Sequence, residues 1–101
     1  MAEAKVLCRT PTPGKKPVRI DKWKYDTVRR AILKVVPVEG DGLLFKDLAR
    51  QVEGSLSTEE LAGLGSVGWY TTTVKLDLEV RGDIRRVAGA APQRLLKLKP
   101  C

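Results

Sequence analysis

Between Ser66 and Gly82 the chain carries a helix with both of its ends marked, and no other stretch restricts the fold as much. The Ser66 hydroxyl suits an N-cap, accepting from the first free backbone donors, and Gly82 supplies the left-handed residue on which helices stop. Val67, Tyr70, Val74 and Leu78 recur at spacings of three and four and share one stripe. The run Thr71-Thr72-Thr73 and the β-branched Val74 lower helix propensity, which makes a strand the rival reading. Alternation fails at Trp69-Tyr70 and again across the threonines, so periodicity predicts one helix over 66–81. Opposite the stripe lie Trp69, Thr73, Leu76 and Val80, with Asp77 and Glu79 at intermediate angles. A helix apolar on two sides is either buried on both or offers one side to another chain.

The flanking segments follow the same logic. Asp21 is expected to cap a helix from Lys22 to about Val36, with Tyr25, Val28, Ile32 and Val35 or Val36 on its inner face and Pro37 as its end. Glu39 to Gly42 reads as a turn, Leu43-Leu44-Phe45 as a short strand, and Lys46 to about Val52 as a second helix stopped by Gly54. Ser57-Thr58-Glu59-Glu60 matches a capping box and starts a further helical turn ending near Gly63. After Gly82, Ile84–Val87 and Arg94–Leu98 flank a loop with Gly89 and Pro92, which predicts a hairpin. Residues 1–20 include Pro11, Pro13 and Pro17; these remove donors and fix φ, so the segment is read as an extended basic arm, mobile by default, before a domain over 21–98. Gly14-Lys15 lacks the preceding strand and the remaining residues of a phosphate loop.

Composition narrows the chemistry. A chain of 101 residues fits one domain with a modest core, and no apolar run nears the roughly 20 residues of a membrane span. The first eight residues are too short and charged for a secretory signal, so a cytoplasmic protein is expected. There is no His, and Cys8 and Cys101 lie near opposite ends, so no metal site and no cofactor is expected, and both cysteines are read as free thiols. Without His the usual general base is missing, and Asp26, Asp47, Glu53, Glu59 and Glu60 have the spacing of solubilising charge, so no catalytic residue is assigned. The net charge of +7 is uneven: residues 1–20 hold five basic side chains against one acidic, 21–36 five against two, 37–66 two against six, and 67–101 seven against three. Such asymmetry suits a molecule with one cationic face and an anionic partner.

The order helix, short strand, helix, helix, hairpin resembles the winged helix, a helix-turn-helix variant whose third helix is the usual reader and whose hairpin is the wing. The closest local match is Leu78-Glu79-Val80-Arg81-Gly82-Asp83-Ile84, similar to the junction in many bacterial winged-helix regulators, with Asp83 standing where an apolar residue is more common. Pro13-Gly14-Lys15, Ile20 to Asp26 and Gly68-Trp69-Tyr70 through Gly82 also resemble a family of small uncharacterised bacterial proteins, a likeness that implies architecture and no activity. The fold class expected is therefore α+β, a winged helix with a three-helix core, a short strand, a C-terminal hairpin wing and an extended N-terminal arm.

Two roles follow from that resemblance. In the first, the protein binds DNA, as a transcriptional regulator would: Thr71, Thr72 and Lys75 meet the groove, Arg85, Arg86 and Arg94 on the wing hold the backbone, and Lys15 and Lys16 of the arm add phosphate contacts. In the second, the module binds a protein partner or a second copy of itself through Trp69, Leu76 and Val80, with Trp69 as the anchor. Trp23 is open to either a core or a surface reading.

Overall fold

Helix α4 (Val67–Arg81) runs between the two ends marked in the sequence. The Ser66 hydroxyl accepts from the Trp69 N–H at 3.2 Å, and Gly82 takes φ 86°, ψ 11°. The Gly82 and Asp83 N–H groups return to the carbonyls of Glu79 and Leu78, which closes the helix in a Schellman turn and sends the chain straight into a strand. The structure is a computed structural model and describes residues 4–11, 14–89 and 91–98.

Around α4 the fold is mixed α+β, with four helices and two small antiparallel sheets among the described residues. Helix α1 (Lys22–Val35) buries Tyr25, Val28, Ala31 and Ile32 and packs most extensively on α4. Helix α2 (Phe45–Gly54) adds Leu48 and Val52, and the seven-residue α3 (Thr58–Leu64) adds Leu64. Ser57 and Glu60 form the capping box, each satisfying the other's backbone N–H, so the further turn is a full short helix. Two-residue β3 (Leu43–Leu44), β4 (Ile84–Arg86) and β5 (Arg94–Lys97) form one sheet in the order β3-β5-β4, with Leu43 opposite Leu95 and Arg85 opposite Leu96. Ile84 and Leu95 turn inward and seal the core below α4. Gly42 holds the entry to this sheet at φ +85°, where an added Cβ would stand 2.8 Å from the Leu95 carbonyl oxygen.

The N-terminal segment departs from the extended arm read from its prolines. β1 (Lys5–Cys8) and β2 (Val18–Asp21) pair antiparallel with Val6 opposite Ile20 and Cys8 opposite Val18. Pro11 and Pro17 fall outside the paired residues, so the ladder loses no donor to them. A two-stranded hairpin is marginal by itself in water; this one is held because Cys8 and Ile20 are buried in the same core as α1 and α4. The expected Asp21 cap is also absent: its side chain makes no cap hydrogen bond and accepts from Lys5 Nζ across the hairpin instead. Pro13, Cys101 and the first three residues lie outside the described residues. No helix among the described residues is long and apolar enough to cross a membrane, and no group of side chains there has the makings of a metal site.

Candidate functional site

The helix expected to read DNA presents one of its three expected reading residues. Thr71 and Lys75 are each 1% exposed, so neither is available to a base or a phosphate; of the three, only Thr72 stays on the surface. Lys75 Nζ donates to Gln93 Oε1 at 2.6 Å, lies 3.1 Å from Glu79 Oε2, and sits 4.4 Å from the centre of the Phe45 ring. Burial pushes its ammonium below the ordinary lysine value, against the upward pull of Glu79. Apolar periodicity misses this because Lys75 follows Val74 on the edge of the inward stripe, where Phe45 at the start of α2 and Gln93 meet it.

The hairpin arginines are also largely engaged. Arg86 Nε donates to Glu79 Oε1 at 2.6 Å and Arg94 Nη1 donates to the Gly42 carbonyl at 3.3 Å, whereas Arg85 is exposed with no ion pair among the described residues. Thus Arg86 serves the Lys75–Glu79 pair and Arg94 braces the turn into β3.

Cationic groups do converge elsewhere. A groove of about 270 Å³ opens between the β1–β2 hairpin and α4. Cys8, Arg9, Thr10, Lys15, Lys16 and Val18 of the hairpin segment line it together with Trp69, Thr73 and Leu76 of α4. No carboxylate belongs to the lining among the described residues, and Trp69 is 48% exposed. Four of the residues that the sequence singles out, Lys15 and Lys16 for phosphates and Trp69 and Leu76 for a protein partner, come together here. Val80, 37% exposed, continues the apolar edge of α4. Arg9 is the groove residue that the sequence reading assigns no role; its signal is the alternation of Val6 and Cys8 and of Val18 and Ile20, which fits a pair of strands.

What fixes the groove is a buried carboxylate. Asp77 is fully enclosed and accepts from the Arg9 backbone N–H at 3.0 Å, the Tyr25 hydroxyl at 2.6 Å and Arg81 Nε at 2.5 Å. Burial alone would raise its pKa, but these three donors outweigh that and hold the carboxyl below its ordinary value. The same side chain thereby ties the hairpin to α1 and α4.

Cys8 forms part of the floor of the groove and is 1% exposed. Burial, followed by the nearby Asp77 charge, pushes its thiol up from 9.0 to about 11. The folded value lies above the unfolded one, so the contribution of the neutral thiol is complete below pH 9.0 and is lost as pH rises through about 11. At pH 8 the native protein should therefore resist iodoacetamide at Cys8, and labelling should appear only with unfolding, as peptide mapping across a urea series would record; rapid native labelling would contradict the burial.

The sequence comparisons are sparse. Searches of curated proteins and of solved structures returned no match. One family model aligns with residues 5–95, a span that takes in the N-terminal hairpin, all four helices and β4 and reaches into β5. The chain belongs to that family, a family of unknown function designated DUF6958.

Proposed function

We propose that the chain is a nucleic-acid-binding protein of winged-helix type, without a catalytic role, that uses the groove between the β1–β2 hairpin and α4 as its contact surface. The observation that carries this reading is the grouping of Arg9, Lys15 and Lys16 around Trp69 with no carboxylate in the described lining. Three cations in a lining without a carboxylate attract phosphates, and the indole offers a flat apolar face to a base. The β3-β5-β4 order beneath α1, α2 and α4 supports the winged-helix part: β4 and β5 stand as the wing, and α3 occupies what is a short turn in a simple helix-turn-helix. Its conventional reading face is poor in cations, which moves the contact towards the hairpin.

The test is binding of a labelled 20-nucleotide duplex and of its separated strand at low salt. Retention of either is expected, and Lys15→Ala with Lys16→Ala should reduce the logarithmic salt slope by about 1.4–1.8. Failure to bind both forms in low salt overturns the proposal.

A second reading is favoured by one observation: Trp69, Leu76 and Val80 form a partly exposed apolar edge on α4, which suits a protein partner or a second copy. It expects a dimer in sedimentation that Trp69→Ala dissociates; a monomer unaffected by the change argues against self-association.

A further inference from the structure

Three of the five aromatic residues share one surface band. Trp69 meets Tyr70 edge-on at 4.9 Å, Lys24 Nζ stands 4.9 Å above the Tyr70 ring and donates to its hydroxyl at 3.2 Å, and the same ammonium lies 5.7 Å from the centre of Trp23. The band thus runs from the groove at Trp69 across the start of α1 to Trp23, which is 44% exposed and borders a second hollow beside Ala4, Lys22 and Asp26. Trp23 is seated firmly: its ring lies against Gly63, where even a Cβ would come within 3.0 Å of Cη2. Two half-exposed indoles therefore stand at the ends of an aromatic and cationic ladder, with Arg9, Lys15 and Lys16 beside one of them.

The outward side of α4 is unsuited to duplex reading. Trp69, Thr72, Thr73, Leu76 and Val80 include no Arg, Lys, Asn or Gln for a bidentate contact with a base edge. The chain contains no Asn at all, and of its two Gln residues Gln51 is on α2 and Gln93 is held by Lys75. Base faces are hidden inside a duplex and are open in a single strand, where each gains from an aromatic platform.

We propose that the groove and the aromatic band beside it take single-stranded nucleic acid, with unpaired bases stacked on Trp69 in the groove and on Trp23 at the band's far end, and phosphates held by Arg9, Lys15 and Lys16. This deepens, and rests on, the nucleic-acid reading above. Recognition through base faces is tolerant of sequence and falls with salt.

The experiment follows the intrinsic tryptophan emission of the full chain while a 12-nucleotide thymidine strand, its ribose equivalent, or the matching DNA duplex is added at low salt. Quenching by either single strand, with affinity roughly tenfold or more above that for the duplex, is the expected result. Trp69→Ala should weaken single-strand binding about tenfold while Trp69→Phe keeps most of it. Quenching in the wild-type protein needs no variant to fold, and thermal melting of Trp69→Phe checks that the groove survives. A duplex bound as tightly as the strand, with unchanged emission, overturns this inference and leaves the nucleic-acid reading standing. Absence of binding to every form, or a Trp69-dependent dimer that no oligonucleotide dissociates, overturns both.

Discussion

Asp77→Ala is expected to remove about 3–5 kcal/mol of folding stability, because it strands the Tyr25 hydroxyl, the Arg9 N–H and the Arg81 guanidinium around an empty site. A domain of this size has only about 5–15 kcal/mol in total, so the thermal midpoint should fall by on the order of 20 °C. Asp77→Asn keeps the shape, loses the charge and should cost less. The two variants also differ from wild type in acid. Because the Asp77 carboxyl is held below its unfolded value of 3.8, its stabilisation is complete above that pH and disappears as pH falls through the lower folded value. Melting of the wild-type protein should accordingly steepen its decline below about pH 4, while the Asn variant stays flatter. A loss under about 1 kcal/mol for Asp77→Ala would mean that the three donors do not depend on this carboxylate.

Glu79→Ala should cost about 3 kcal/mol, for a different reason. The Glu79 side chain is 8% exposed and lies between Lys75, 1% exposed, and Arg86. Removing it frees Arg86 into water but leaves the Lys75 ammonium enclosed with the Gln93 amide oxygen and the Phe45 ring, and its pKa should drop further. Adding Lys75→Met to this background should recover most of the loss, since a buried ion pair replaced by apolar groups of similar volume is often neutral or stabilising. Urea denaturation of wild type, the single variants and the double variant measures the coupling. Additive losses would show that Lys75 and Glu79 act independently.

These two acidic side chains mark where the sequence stopped being legible. The spacing of Tyr25, Val28 and Ile32, of Leu48 and Val52, and of Val74 and Leu78 placed the buried faces of α1, α2 and α4 correctly, and Ser57, Glu60, Ser66 and Gly82 marked helix ends that the structure reproduces. Apolar spacing registers only apolar side chains. Lys75 and Asp77 flank the stripe on α4, and each becomes interior because a segment distant in sequence covers it: the Gln93 region on one side and Arg9 on the other. Asp21 illustrates the same limit. By itself it is a good cap, but the hairpin register sets it opposite Lys5, and the carboxylate turns there. The groove was illegible for that reason too, since Lys15 and Trp69 become neighbours only once residues 5–21 fold back on α4.

The hydrogen bond from Arg9 to Asp77 spans 68 residues of sequence, and this orders events during synthesis. The first strands leave the ribosome long before their anchor is made, a delay of roughly 3–14 s at ordinary elongation rates. A nascent two-stranded ribbon of this size does not persist unaided, so docking of the N-terminal strands must wait for the carboxylate on α4. Until then Cys8 and Ile20 lack the core that buries them, and the groove built from residues 8–18 and α4 is among the last features to be completed.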